Sequence, residues 1–200
     1  MVPPARLFAA LIALVALAAI GSQLVVTFGA TGSLPATLWI VGGFFTVLTN
    51  VLVLVTFARA AGTGTMPSPF WIAGLTLWIL IVGAVYHVLL SSLWSPAGLQ
   101  WWADQGLHSA TPLLTLAFWL VFAPKAPLPW RNAALWLWWP LLYVSYALIR
   151  GLFTGVYPYP FIDLNVLTYG QLVVNAVGLS VAFYLGGLVL IAIARGRHRV

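Results

Sequence analysis

Four residues with reactive or hydrogen-bonding side chains recur at helical spacing near the middle of this sequence. Successive members are 4, 3 and 4 residues apart, so a helix would place all of them on one face. The carboxylate one turn before the imidazole would orient that ring and stabilise its charged form. We therefore predict a general base on this stripe, held by its acidic neighbour. The four residues are Asp104, His108, Thr111 and Thr115.

A candidate nucleophile, Thr46, lies in an earlier apolar stretch, with Thr49 and Asn50 close behind it. Thr46 and either neighbour share one helical face, about 15 Å below the outer end of that helix. A threonine hydroxyl is a weak nucleophile until a base removes its proton. We therefore predict that Thr46 and His108 act together as nucleophile and base. The alternative is structural, because a threonine in a membrane helix commonly bonds to the carbonyl four residues earlier.

Further polar residues are candidates for supporting or substrate-binding roles. A hydrolase needs hydrogen-bond donors for the carbonyl oxygen in the transition state, and Asn50, His87 and Tyr157 carry suitable groups. Arg150 and Asp163 are predicted to form an ion pair that ties the last outer loop to the bundle. Two histidines and one aspartate make too small a ligand set for zinc, and no glycine-rich phosphate loop occurs. We predict neither a metal nor a cofactor.

The amino-acid composition indicates which solvent surrounds these residues. Hydrophobic residues make up 63% of the chain and charged residues 5%, whereas a soluble domain has about 25% charged residues. Lipid must therefore be the solvent for most of the chain, which predicts an integral membrane protein. The net charge of +6 comes from scattered residues without a patch or stripe, so nucleic-acid binding is excluded. The absence of cysteine excludes disulfides and thiol catalysis.

Apolar stretches long enough to cross the hydrocarbon core, about 20 residues each, alternate with short segments rich in proline and glycine. We predict an all-α, polytopic membrane protein with six transmembrane helices, forming one domain over residues 1–200. The first stretch is too long for a signal peptide, since its apolar run continues through Phe28. The predicted spans are about 5–28, 36–58, 70–92, 101–123, 132–153 and 166–194.

The basic residues predict the orientation of the helices. With the N-terminus inside, seven of the eight lie on the inner side, and Arg150 lies outside with both acids, Asp104 and Asp163. Both termini are then cytoplasmic, and most of the unusual polar residues gather in the outer half of the bundle. We predict a polar cavity that opens outward in a bacterial cytoplasmic membrane. The inner basic residues are Arg6, Arg59, Lys125, Arg131, Arg195, Arg197 and Arg199; the tryptophans predicted for an interfacial belt are Trp101, Trp102, Trp130, Trp136, Trp138 and Trp139.

Three segments resemble the androgen-induced and androgen-dependent membrane proteins, and more closely their small bacterial relatives with six spans. The first runs from Gly43 to Asn50, and the second from Gly106 to Pro112. The third joins Arg150-Gly151 to the Tyr-Pro-Tyr-Pro-Phe-Ile-Asp run that ends at Asp163, and it is the most specific. The resemblance extends from about Gly42 to the C-terminus.

The eukaryotic members of this family hydrolyse fatty acid esters of hydroxy fatty acids with an intramembrane threonine and histidine. The resemblance implies that these two residues correspond to Thr46 and His108. The chain departs from the eukaryotic pattern just before His108, where it reads Asp104-Gln105-Gly106-Leu107. The expected partner is a fatty acyl ester substrate among the membrane lipids. Two other classes remain open: a non-catalytic lipid-binding or transport protein, and a helical scaffold held together by its polar residues.

Overall fold

The computed structural model describes residues 1–124 and 128–198 of the chain. These residues form helices joined by loops and contain no β-strand, so the all-α prediction is confirmed. Five of the described helices are long and apolar enough to cross a membrane, as expected of an integral membrane protein. They are Pro3–Thr31, Phe45–Thr63, Pro69–Leu93, Asn132–Thr154 and Tyr169–Gly196. Lys125 and Arg199, both used above to orient the chain, lie outside the described residues.

The chain divides into two compact units, and the first, Met1–Pro124, holds the predicted nucleophile and base. Its α4 continues through a π-helical turn at Tyr86–Leu90 and a 3₁₀ turn at Ser91–Leu93. A second π-helical turn, Gly106–Ala110, joins α5 to α6. The α-helices of this unit are α1 (Pro3–Thr31), α2 (Leu34–Val41), α3 (Phe45–Thr63), α4 (Pro69–Val85), α5 (Gly98–Gln105) and α6 (Thr111–Val121).

The second compact unit comprises Lys125–Val200. Its described helices are α7 (Asn132–Leu135), α8 (Trp138–Thr154) and α9 (Tyr169–His198), with a short 3₁₀ turn at Pro160–Ile162. A side chain at Gly187 of α9 would come within 3.1 Å of Ala133, so the glycine lets these helices pack closely. Trp136 packs at the same place and is fully buried, so it faces the interior of this unit, and its depth in the membrane stays a prediction. The prediction of one domain over residues 1–200 stays a prediction.

The second predicted span, 36–58, is not one helix but two. It breaks at Gly42–Phe44, between α2 and α3, where Phe44 adopts an extended conformation with φ −96° and ψ 129°. Two consecutive glycines weaken a helix because each loses more backbone entropy on folding than any other residue. A side chain at Gly42 would also come within 2.9 Å of the Leu38 carbonyl oxygen. The break makes Phe45 the first residue of α3, so Thr46 lies in its first turn.

The fourth predicted span corresponds to α5, the π-helical turn and α6, an unbroken helical run from Gly98 to Val121. It is not among the five described helices that are apolar enough to cross a membrane by composition. The reason is its own polar stripe, because Asp104, Gln105 and His108 lower the mean apolarity of its first half. The same residues that make this helix a candidate for chemistry make it the least apolar of the predicted spans.

Two glycines allow neighbouring helices to approach the second π-helical turn. A side chain at Gly106 would come within 2.5 Å of Ala19 in α1. A side chain at Gly83 of α4 would come within 2.8 Å of the His108 carbonyl oxygen. Leu107 packs in an apolar cluster with Ala19 and Ile20 of α1. The backbone around His108 is therefore fixed by close contacts on two sides.

The far end of α3 is tied to α1 by one arginine. Arg6 Nε donates to the Ala61 carbonyl at 2.5 Å, and Arg6 Nη2 donates to the Gly62 carbonyl at 2.9 Å. The last carbonyls of a helix lack partners within the helix and carry partial negative charge, so a guanidinium both satisfies and neutralises them. This contact helps to set the position of α3, and hence of Thr46 at its opposite end.

Candidate functional site

The imidazole of His108 is oriented by Asp104, one turn earlier on the same helix. His108 Nδ1 lies 3.0 Å from the Asp104 carbonyl oxygen and 3.3 Å from Asp104 Oδ1. A backbone carbonyl only accepts, so Nδ1 carries a proton, and in a neutral imidazole Nε2 is then the acceptor. Nε2 forms no hydrogen bond with a residue in 1–124 or 128–198. A neutral imidazole with an unoccupied Nε2 is the form that acts as a general base.

The Asp104 side chain is 1% exposed and has few partners. Its carboxylate interacts with the Tyr86 hydroxyl, which also interacts with the indole N–H of Trp94. Within the described part of the chain, neither carboxylate oxygen has a hydrogen-bond partner at both a suitable distance and a suitable angle. Burying an uncompensated carboxylate is costly. The groups that face this side chain are the Tyr86 hydroxyl and the His108 ring.

Tyr86 completes the surroundings of the imidazole, and the sequence analysis missed it. Its ring stacks on that of His108, with centroids 3.9 Å apart and planes 15° from parallel. Only 5% of Tyr86 is exposed. Tyr86 therefore holds the His108 ring in one orientation. No spacing on a single helix could have indicated it, because the contact joins the π-helical turn after α4 to the one after α5.

A proline explains how the backbone around His108 differs from an ordinary helix. The Thr111 N–H donates to the Gly106 carbonyl, five residues earlier, and so passes over Leu107. The next residue, Pro112, has no N–H to donate. The Leu107 carbonyl, which precedes His108, is thus left without a donor from the following turn. Turns of this π-helical kind are rare and recur at functional sites.

Asn50 of α3 supplies the missing donor. Its Nδ2 donates to the Leu107 carbonyl at 3.2 Å and to the Thr46 carbonyl at 2.9 Å. Both amide hydrogens are therefore used, and Asn50 is not free to bind the carbonyl oxygen of a substrate. Its place in the site is to join the turn that carries Thr46 to the turn that carries His108. Asn50 is fully buried, and its Oδ1 has no hydrogen-bond partner among the described residues.

Thr46 lies at the beginning of α3, in the turn whose carbonyl Asn50 binds. It is 8% exposed, so the hydroxyl belongs to the interior of the first unit. The bonding pattern predicted as the structural alternative is formed by Thr76, whose Oγ1 donates to the Ile72 carbonyl, four residues earlier, at 2.7 Å. The stripe predicted to face the interior does so, since Asp104, Thr111 and Thr115 are all buried.

His87, predicted as a supporting residue, forms a separate polar cluster with Ser109. His87 Nε2 lies 3.0 Å from Ser109 Oγ, which lies 3.0 Å from Gln105 Oε1. His87 is exposed, whereas Ser109 and Gln105 are partly buried. The ring of His87 also meets that of Tyr86 edge-on, with centroids 5.0 Å apart. The sequence analysis did not identify Ser109 as a site residue, although it directly follows His108.

The three remaining predicted residues belong to the second unit, where the structure gives their local contacts. Tyr157 packs on α8 where Gly151 leaves room, because a side chain there would collide with the tyrosine ring. Asp163 Oδ1 accepts a hydrogen bond from the Asn165 N–H at 2.8 Å. Arg150 lies near the Tyr146 hydroxyl, with Nη1 at 3.4 Å. These contacts fold the loop after α8; the Arg150–Asp163 ion pair and a role in the site stay predictions.

No group of three or more histidine, aspartate or glutamate side chains in the described chain is placed to hold a metal ion. The chain was compared with protein-family models, with curated proteins and with solved structures, and no match was found in any of them. The arrangement around His108 must therefore be interpreted from its own chemistry.

Proposed function

We infer that this protein hydrolyses a lipid ester within the membrane, with Thr46 as the nucleophile and His108 as the general base. The observation that carries this proposal is the state of His108. Its Nδ1 proton is directed at Asp104, and its Nε2 is left to accept a proton. Asn50 ties the turn of Thr46 to the turn of His108, which supports the pairing of these two residues.

The reaction follows the chemistry of a hydroxyl nucleophile. Thr46 Oγ1 attacks the ester carbonyl carbon while its proton moves to His108 Nε2. The tetrahedral intermediate collapses, and His108 returns that proton to the departing alkoxide, which leaves as an alcohol. Water then attacks the acyl-threonine, His108 takes the water proton, and the proton passes to Thr46 Oγ1 as the carboxylic acid is released. Asp104 and Tyr86 stabilise the imidazolium between these steps.

The surroundings favour a substrate with long apolar chains. Thr46 lies at the N-terminus of α3, where the helix dipole is positive and stabilises the oxyanion of the intermediate. The chain has few charged groups with which to bind a polar substrate, and its exposed side chains are largely aliphatic or aromatic. The fatty acyl ester implied by the family resemblance fits these conditions.

Ester hydrolysis by the purified protein in detergent tests this function. Turnover of a fluorogenic long-chain ester should fall at least about 100-fold in Thr46→Ala and in His108→Gln, and Thr46→Ser should retain part of it. Thr76→Ala is the matched control, because it also removes a buried threonine hydroxyl but one that bonds only its own helix. Absence of turnover in the folded protein, or turnover indifferent to both changes, would leave a lipid-binding or transport role in its place.

The proposed topology has six spans with both termini in the cytoplasm of a bacterium. The helical run from Gly98 to Val121 would be the fourth span along the chain and would complete the set of six. Its polar stripe would be covered by α1, α3 and α4. The chain has no cysteine, so single cysteines report the sidedness of each loop. A membrane-impermeant maleimide should label Ser95→Cys in intact cells, whereas Thr65→Cys should be labelled only after the cells are opened. Both positions are exposed loop residues, and the reverse pattern would exclude the proposed orientation.

A further inference from the structure

The two π-helical turns of the first unit meet at a second hydroxyl–imidazole contact. Ser109 Oγ lies 3.0 Å from His87 Nε2, and 3.0 Å from Gln105 Oε1 on its other side. We propose that Ser109 and His87 form a second acyl-transfer site, with Ser109 as the nucleophile and His87 as its base. This site is separate from the function proposed for Thr46 and His108 and does not depend on it.

The geometry meets the first requirement of an activated hydroxyl. A nucleophile must lie within about 2.6–3.2 Å of its base, and the 3.0 Å between Ser109 Oγ and His87 Nε2 satisfies this requirement. With Gln105 Oε1 facing the serine, the Ser109 hydroxyl donates to that oxygen, and His87 Nε2 donates to Ser109. A half-turn of the Gln105 amide exchanges its oxygen and nitrogen without moving the chain. The amide N–H then donates to Ser109 Oγ, and the serine proton is directed at His87 Nε2.

The Ser109–His87 pair reaches the surface of the protein, whereas Thr46 is buried. His87 is exposed, and Ser109 and Gln105 are partly buried, whereas Thr46 is 8% exposed. Ser109 and His108 are consecutive, so their side chains leave the helix in different directions, about 100° apart in a regular helix. Each histidine therefore has its own partner: His108 has Asp104, and His87 has Ser109.

The surroundings indicate where the substrate carbonyl would lie. Trp94, Trp101 and Trp102 are 44%, 42% and 67% exposed, and all three flank the loop between the turns. Exposed tryptophans concentrate at the level of the lipid head groups, which is also where the ester carbonyls of membrane lipids lie. The ligand class we assign is therefore an acyl ester of an amphiphile, bound with its carbonyl at this level and its chain in the bilayer.

The reaction is an acyl transfer in which atoms and protons balance. Ser109 Oγ bonds to the ester carbonyl carbon, and its proton moves to His87 Nε2. The bond to the alcohol oxygen breaks, and that oxygen takes the proton from His87. Water then attacks the acyl-serine, His87 accepts a proton from it, and this proton returns to Ser109 Oγ as the fatty acid leaves.

A single introduced thiol tests the activation of this position without any substrate. The chain has no cysteine, so Ser109→Cys carries the only thiol. Ser91→Cys is the matched control, since Ser91 lies at the same end, is also partly buried, and donates to the His87 backbone carbonyl at 3.0 Å instead of the ring. Iodoacetamide should alkylate Ser109→Cys about tenfold faster than Ser91→Cys, and adding His87→Gln should remove the difference. Equal rates in the two thiol variants would overturn the proposal.

Labelling of the unaltered protein by a fluorophosphonate separates this site from the one proposed first. Mass spectrometry should locate the adduct on Ser109, and it should persist in Thr46→Ala and be lost in His87→Gln. An adduct confined to Thr46, or one spread over Ser91 and Ser109 alike, would contradict the proposal. An adduct on Ser109 with no ester turnover dependent on Thr46 would support this site and refute the proposed function, so the two failures are distinguishable.

Discussion

The ring of Tyr86 lies almost parallel to the imidazole of His108, with 3.9 Å between the centroids. The same tyrosine reaches the Asp104 carboxylate through its hydroxyl. One residue at the end of α4 thus contacts both members of a pair that lies on another helix. The orientation of the His108 ring therefore depends on two packed helices, and it should respond to changes in either of them.

Two substitutions of Tyr86 distinguish the effect of its ring on His108 from the effect of its hydroxyl on Asp104. Tyr86→Phe keeps the stacked ring and removes the hydroxyl, so we expect a loss of turnover of about tenfold. Tyr86→Leu removes both contacts and should cost about 100-fold, within the range attributed to a positioned base. Kinetics of the fluorogenic ester measure this, with ¹⁵N spectra of His108 as a second readout that is independent of turnover. Equal activity in Tyr86→Phe, Tyr86→Leu and the parent protein would show that the contact is only packing.

Removing Asn50 should destabilise the first unit. Asn50→Leu leaves the Leu107 carbonyl without its donor from α3 and inserts an apolar group beside two buried carbonyls. An unsatisfied buried polar group costs about 1–3 kcal/mol, so the midpoint of unfolding in mixed detergent should fall accordingly. Thr56→Val is a useful comparison, because it too removes a side-chain hydrogen bond between α3 and a neighbouring helix, here the 2.9 Å bond from Trp71 of α4, but away from His108. Only Asn50→Leu should also reduce ester hydrolysis.

Gly83 should tolerate no side chain. A methyl group there would lie 2.8 Å from the His108 carbonyl oxygen and 3.4 Å from Pro112 Cγ, so α4 and the π-helical turn must move apart. We expect Gly83→Ala to lower stability by about 1–3 kcal/mol, as overpacking does, and to reduce turnover. Gly29→Ala provides the control, because nothing lies within 4 Å of its added carbon. Thermal unfolding and ester kinetics are measured on both variants. Equal stability and equal turnover in Gly83→Ala and Gly29→Ala would contradict the prediction.

The packing of the loop after α8 likewise requires a glycine without a side chain, at Gly151. Gly151→Ala would place a methyl group against the Tyr157 ring and expel that ring from the helix. We expect increased proteolysis of the segment from 155 to 168, measured by mass spectrometry of the fragments. The double variant Gly151→Ala with Tyr157→Gly should recover part of the protection, because the clash is gone. Failure of this rescue would mean that the clash is not what loosens the loop.

Much of the fold was predictable, because its signals are local. Proline and glycine mark the ends of the helices, as at Pro69, where α4 begins with Ser68 as its cap. The interior face of the polar stripe followed from its spacing. The break at Gly42–Phe44 was missed because an apolar run of span length hides it. The place of Tyr86 and Ser109 in the site, and the bond from Asn50 to Leu107, could not be predicted either, since each depends on which helices pack together.

The π-helical turns make the chain tolerant of a change in length at two places. Such a turn holds one more residue than an α-helical turn of the same rise, so the loss of one residue from 106–110 can be absorbed by an ordinary α-helical turn, and the residues that follow stay on the same face. The same loss within the regular α6 helix would turn everything after it by about 100° and rotate its buried face away from the neighbouring helices. A deletion of one residue within 106–110 should therefore leave a folded protein whose geometry around His108 has changed, whereas a deletion within 111–121 should prevent folding.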